Sequence, residues 1–178
     1  NENAVGADGV TVIDTDVFEA LGVRCGEDYP LDFSVVKSLR RFSELPDNYA
    51  EDDTDLDAKL VEDLKSKIAL GLYAEANALI ATAPDTEWRA YREILQLLDN
   101  RERPNLDFFD ALATCYEDAG LWQAVAQLVV FDPEGVEGIG ARIGEVRSLP
   151  YNMREDVATL AIPTLLIERR GDLAQQVL

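Results

Sequence analysis

Three glycine-centred turns at nearly regular intervals constrain the fold of this chain more than any other feature. Gly71, Gly120 and Gly171 are separated by 49 and 51 positions, and each follows apolar residues at helical spacing. A glycine just after the last turn of a helix adopts positive φ without a Cβ clash, so it can end one helix before the next begins. The spacing therefore predicts a repeated helical hairpin.

The residues around Gly120 show the hairpin pattern most clearly. Before it, one helix face carries apolar residues at i, i+3, i+4 and i+7. These residues are Phe109, Leu112, Ala113 and Tyr116. After it, Trp122, Val125 and Val129 continue at helical spacing, and Trp122 is placed to cover the closed end of the hairpin.

This order resembles the tetratricopeptide repeat (TPR). In that family a small residue precedes an aromatic one by three positions, and a glycine opens the turn. An aromatic residue then follows the glycine by two positions and an alanine by five. The central unit matches at Ala113, Tyr116, Gly120 and Trp122, with Val125 in place of alanine. The first unit matches at Gly71, Tyr73, Ala76 and Ala83, with Leu64 at the small position, and the third matches loosely at Thr164, Gly171 and Leu173, with Gln176 in place of alanine.

The resemblance implies an all-α fold, a right-handed α-solenoid of TPR-like hairpins over residues 55–178. The family's usual period is 34 residues, so each unit here would carry an additional helix. Residues 1–54 form a less regular segment, with helices predicted near residues 15–21 and 32–45 that pack on the solenoid. The alternative is an irregular all-α domain whose helices end at glycines.

Composition excludes several functional classes. The chain has 178 residues and a formal net charge of −19, from 16 basic and 35 acidic residues. Nucleic-acid binding requires a basic surface, so we predict none. The sequence has no run of 18 apolar residues, so we predict no membrane span.

The sequence contains no arrangement of residues typical of a catalytic site, and we predict none. Histidine, the commonest general base, is absent, and no G-x-S-x-G or Walker-type loop occurs. The adjacent carboxylates Glu117–Asp118 and Glu155–Asp156 would diverge by about 100° on a helix, so neither pair converges on a substrate. A carboxylate-dependent, glycan-processing hydrolase on an α-helical scaffold is the alternative function.

Two segments match ligand-binding motifs only in part. The acidic run 51–62 places carboxylates at positions 1, 3, 5, 7 and 12 of a calcium loop, but Leu56 replaces the required glycine, and helix capping is preferred. The glycines from Gly135 to Gly144 follow a helix and lack the dinucleotide fingerprint, so they predict a loop entering a short helix. We predict no metal and no cofactor.

Cys25 and Cys115 are the two cysteines of the chain. Two cysteines without histidine cannot make an ordinary zinc site. Either they form a disulfide that ties the N-terminal segment to the central hairpin, or they are two buried thiols. Both alternatives stay open from sequence, and so does the compartment, with a lean toward an exported or periplasmic protein.

We expect a non-enzymatic protein- or peptide-binding module that uses a concave face of the helical array. The groove should lie near Leu60, Phe109, Leu112 and Leu160. Polar residues beside it would be ligand contacts if exposed; the candidates are Lys67, Asn77, Thr114 and Tyr116.

The C-terminal edge has its own prediction. Leu173, Ala174, Val177 and Leu178 form an apolar face on what looks like an incomplete third hairpin. Solenoid units bury such faces on the next unit. We therefore expect a fragment of a longer array, with a homodimer through this edge.

Overall fold

The computed structural model describes residues 15–23, 25, 31, 33, 56–82, 88–99 and 103–178. Every regular element in these ranges is helical, and none is a strand, which confirms the all-α class. The helices are α1 (Thr15–Leu21), α2 (Leu56–Ala69), α3 (Tyr73–Ile80), α4 (Arg89–Asp99), α5 (Leu106–Cys115), α6 (Gly120–Val129), α7 (Glu134–Ala141), α8 (Ile143–Ser148), α9 (Tyr151–Ile167) and α10 (Gly171–Val177). A 3₁₀ turn, Glu117–Ala119, joins α5 to α6.

Helices α6 and α9 lie at the centre of the packing. Helix α6 packs against α5, α7 and α9, and it is buried on most of its circumference, as expected of a helix that is apolar all round. Helix α9 packs against α2, α4, α6, α8 and α10. Buried Thr164 on α9 donates a hydrogen bond to the carbonyl oxygen of Leu128 on α6, at 2.6 Å.

The contacts of α9 connect parts of the chain that are distant in sequence. In a linear helical array each repeat contacts only its neighbours. Here α9 contacts both α2 and α4, so the third predicted unit lies against the first.

Of the three predicted turn glycines, Gly71 has the expected conformation. It follows α2 with φ 73°, and its N–H donates to the Ile68 carbonyl while the Leu72 N–H donates to the Lys67 carbonyl. This is the Schellman pattern that ends helices. The prediction of a positive φ was wrong for Gly120 and Gly171, which are the first residues of α6 and α10.

The positive φ expected at those glycines occurs at other residues. Phe131 after α6 has φ 63°, and Arg169 after α9 has φ 59°. Both residues lie in Schellman hydrogen-bond patterns of their own. Gly120 has φ −62°, and a Cβ there would meet the guanidinium group at the flexible end of the Arg142 side chain.

The loop predicted at Gly135 is instead helical, and the short helix predicted through Ile139, Ile143 and Val146 is present as two helices, α7 and α8. A Cβ on Gly135 would lie 2.8 Å from the Ala124 carbonyl oxygen and from the Leu128 nitrogen. A Cβ on Gly138 would lie 2.8 Å from the Ala124 Cβ. These two glycines therefore allow the backbones of α7 and α6 to pack close together. This packing stabilises α7 as a helix, although its glycines have low helix propensity.

Residues of the N-terminal segment complete the core. Phe33 is buried and meets the rings of Tyr91 and Trp122 edge-on, with centroids 6.3 and 5.7 Å away. Lys65 is buried too, with its Nζ 5.5 Å from the Phe33 ring centroid. Apart from Phe33, which is not in a helix, the predicted helix near residues 32–45 lies outside the described residues, and so does the acidic segment 51–55.

The C-terminal edge differs from the sequence prediction. Leu173, Ala174 and Val177 are buried where α10 packs against α8 and α9, whereas Leu178 is exposed. The apolar face is thus largely covered within the chain. A homodimer stays a prediction, but these three residues cannot supply its contact.

Within the described ranges, no helix has both the length and the apolar character needed to cross a membrane.

Candidate functional site

An open groove of about 600 Å³ lies between α1 and α5. Its volume falls within the range of ligand-binding pockets. The described residues that line it are Val17, Phe18, Ala20, Leu21, Asp107, Asp110, Ala111 and Thr114. Helices α1 and α5 pack against each other, so the groove has two helical walls.

Helix α1 forms the first wall, and its C-terminal end is well anchored. Gly22 has φ 69°, and the N–H groups of Gly22 and Val23 donate to the carbonyls of Glu19 and Phe18 at 3.0 and 2.8 Å. This Schellman turn places Val23 in the core. Val17, one turn before the end of the helix, is 50% exposed and faces the groove.

Helix α5 forms the second wall and has two chemically distinct faces. The Asn105 side chain caps it by accepting a hydrogen bond from the Phe108 N–H at 3.2 Å. The buried face carries Phe108, Phe109 and Leu112. The groove face carries Asp107, Asp110, Ala111 and Thr114, at i, i+3, i+4 and i+7.

A disulfide joins the two walls at one end. Cys25 follows α1, Cys115 is the last residue of α5, and their sulfurs are bonded with the Cα atoms 5.1 Å apart. That separation is ordinary for a disulfide. The structure therefore has the bonded form, one of the two alternatives that the sequence left open, and the side chain of Cys25 is exposed.

The groove is apolar on its floor and acidic at its rim. Asp107 and Asp110 are exposed rim residues, and Glu19 is exposed on α1 outside the groove lining. Neither helix contains lysine or arginine. One Asp110 carboxylate oxygen accepts a hydrogen bond from Gln123 Nε2 at 2.9 Å, and the Asp110 carbonyl accepts one from Thr114 Oγ1 at 2.9 Å.

The structure does not bring the four predicted ligand contacts together. Thr114 lines the groove, but Lys67 pairs with Asp63 and is mostly buried. Asn77 is exposed on α3, and Tyr116 is half-buried against the core after α5.

The predicted groove-lining residues also differ from those observed. Phe109, Leu112 and Leu160 are buried in the core, so they line no open face. Sequence reasoning missed Asp107 and Asp110. The four-residue spacing of Asp110 and Thr114 could have found the polar face, and the possible Cys25–Cys115 disulfide is the sequence signal that would place α1 near it.

A second polar contact lies between α3 and α9. The Tyr73 hydroxyl donates a hydrogen bond to the Asp156 carboxylate. Burial raises the pKa of Tyr73, and the hydrogen bond to Asp156 and the negative charges of Asp156 and Asp99 raise it further. Burial also raises the pKa of Asp156, while the Tyr73 hydrogen bond opposes that rise. The contact ties α3 to α9.

A small cavity of about 130 Å³ lies beside the start of α6, where Asp118, Glu145 and Ser148 are its polar lining residues. Partial burial raises the pKa of Glu145, against the opposing charge of Arg142. Among the described residues there is no group of three or more histidine, cysteine, aspartate or glutamate side chains that could hold a metal ion.

No protein-family model, curated protein or solved structure matches the chain.

Proposed function

We propose that this protein is a non-enzymatic binding module and that the groove between α1 and α5 holds a peptide segment of a partner protein. The observation that carries the proposal is the groove itself, with its apolar floor, acidic rim and covalently joined walls. Binding sites typically combine an apolar surface with a few polar groups that orient the ligand. Asp110 and Thr114, linked by a hydrogen bond, are such groups.

We propose, in addition, that the hairpins α2–α3 and α5–α6 are TPR-like units of a solenoid that departs from a linear array where α9 contacts α2. Three observations support this: Gly71 ends α2 with positive φ, Trp122 is buried beside the α5–α6 turn, and Val125 is buried in the alanine position. The ligand surface that we propose is the α1–α5 groove rather than a concave face at Phe109 and Leu112, because those two residues are in the core.

The disulfide supports an oxidising compartment for this module. Disulfides persist in exported and periplasmic proteins and are rare in the reducing cytosol. In the cytosol, a disulfide with an exposed partner such as Cys25 would be reduced unless the bond were unusually stable.

A peptide-display selection against the purified protein tests the proposed function. Peptides selected on the native protein should lose at least about tenfold in affinity for the Val17→Lys variant, because a charge replaces an apolar groove residue. The matched control is Ile167→Lys, which alters a residue that is 63% exposed outside the groove lining. Circular dichroism of both variants verifies folding.

Equal binding to the native protein and to Val17→Lys would refute the groove as the site. Failure to select any binding peptide would refute the proposed function.

A further inference from the structure

We infer that the occupant of the α1–α5 groove is a cationic amphipathic helix, with apolar side chains toward the floor and lysine or arginine toward the rim. This inference rests on the proposed function and names its partner class. It combines the charge of the rim with the shape of the walls.

The charged residues among the described groove lining, Asp107 and Asp110, are both acidic and exposed. Glu19 is exposed on α1 outside the lining, and neither wall helix has a basic residue. Arg89, which lies beside Gly22 and over the Phe108 ring, is paired with Glu93. The formal charge of the whole chain, −19, has the same sign. Such a surface steers cationic partners toward it and repels acidic ones.

The walls suit a helix better than the other common forms of bound peptide. Peptides that bind as added strands need an exposed sheet edge, and the described part of the chain has no sheet. Polyproline segments dock on aromatic-lined grooves, whereas Phe18 is the single aromatic residue among the described lining residues. Two neighbouring helices with an apolar floor can instead receive a third helix by ridge-into-groove packing.

The dimensions fix how much of a partner helix the groove can contact. Helix α5 has 10 residues and α1 has 7. At about 1.5 Å per residue the walls are therefore about 15 and 10 Å long, two to three helical turns. The matching ligand pattern is apolar residues at i, i+3 or i+4, and i+7, with basic residues on the flanks.

The inference is tested with three synthetic peptides of about five helical turns each. The first has leucine at i, i+3, i+4 and i+7 and lysine at the flanking positions. The second replaces every lysine by glutamate, and the third has the composition of the first in scrambled order. Binding of labelled peptides to the native protein is measured by fluorescence anisotropy.

We expect the lysine peptide to bind at least about tenfold more tightly than either of the others at about 0.1 M salt. Its advantage over the glutamate peptide should shrink at about 1 M salt, where charges are screened within about 3 Å. The double variant Asp107→Lys/Asp110→Lys should reverse the preference toward the glutamate peptide. The control Glu137→Lys/Glu168→Lys changes net charge equally at exposed residues outside the groove lining, and it should keep the native preference.

Two outcomes would overturn the inference. Equal or tighter binding of the glutamate peptide would show that the rim does not select charge. Equal binding of the scrambled peptide would show that charge acts without the apolar floor. If peptides from the display selection still depend on Val17 in either case, the proposed function stands and only the partner class is wrong.

Discussion

Tyr73 on α3 donates its hydroxyl hydrogen to the carboxylate of Asp156 on α9, 83 residues further along the chain. The bond joins the first helical hairpin to α9, the longest of the described helices. A partly buried hydrogen bond to a charged group contributes more than a neutral one. This contact therefore helps to hold α9 against the first hairpin.

The first prediction concerns this bond and its pH dependence. Tyr73→Phe should lower the free energy of unfolding by about 1–3 kcal/mol at pH 8, because Asp156 loses its donor. In the unfolded chain Tyr73 has its ordinary pKa of 10.0, whereas burial raises its pKa in the folded state. The stabilisation is thus complete below about pH 10 and is lost as pH rises above it, because the unfolded state then releases a proton that the folded state keeps.

Urea unfolding of the native protein and of Tyr73→Phe at pH 8 and pH 11 measures this effect. The difference between the two proteins should be smaller at pH 11. Tyr151→Phe is the control, because Tyr151 bonds to Glu155 at the exposed surface, and it should change stability little. A difference that grows with pH would contradict the assignment.

The second prediction separates two glycines that look alike in sequence. Gly71→Ala should destabilise by about 1 kcal/mol, because alanine is strained at φ 73°. Gly171→Ala should stabilise by about 0.4–1 kcal/mol, because Gly171 is the first residue of α10 and a Cβ there meets nothing within 4 Å. Thermal midpoints should move in opposite directions, and a fall for both variants would mean that Gly171 also needs positive φ.

The third prediction concerns the close contact between α6 and α7. Gly135→Ala should destabilise by about 1–3 kcal/mol, because the added methyl meets the backbone of α6 at 2.8 Å and the helices must separate. Gly144→Ala is the matched control in α8: it is exposed, and a Cβ there meets nothing within 4 Å. We expect it to be neutral or stabilising in calorimetry. Equal melting enthalpies and midpoints for both variants would refute the contact.

Several helix ends follow from local signals in the sequence. Gly22 ends α1, and Asn105 caps α5 through its side chain. The apolar residues of α4 recur on two sides of a helical pattern, which is typical of a helix buried on two faces, as Ile94 and Leu95 are. These features depend on residues within a few positions of each other, which a single sequence displays directly.

Features that depend on distant contacts could not be predicted in the same way. A glycine can adopt a positive φ, as Gly71 does, or can let two helices pack closely, as Gly135 does. The presence of glycine in the sequence does not distinguish these two roles. Conversely, Phe131 and Arg169 adopt positive φ without being glycine, each within the Schellman hydrogen bonds that end α6 and α9.

The candidate site also combines a local signal with a contact between distant parts of the chain. The spacing of Asp107, Asp110 and Thr114 indicates the polar face of α5. The opposite wall, at Val17, lies about 90 positions away in the sequence, and the possible Cys25–Cys115 disulfide is the sequence signal for its position beside α5.

The last prediction concerns the disulfide as the link between the walls. The sequence separation of Cys25 and Cys115 is 90 residues, and closing a loop of this size stabilises by about 4.6 kcal/mol in the chain-entropy model. Reduction, or the double variant Cys25→Ser/Cys115→Ser, should therefore lower the free energy of unfolding by about 2–5 kcal/mol. Because the disulfide joins α1 to α5, the loss of local stability should be greatest at α1. Hydrogen exchange should become faster at the α1 amides, whereas the α6 amides should still exchange only through global unfolding.

The lysine peptide should also bind more weakly to the reduced protein, because the disulfide no longer holds α1 beside α5. Unchanged exchange at α1 after complete reduction, verified by thiol counting, would show that noncovalent packing alone holds this wall and that the disulfide does not shape the groove.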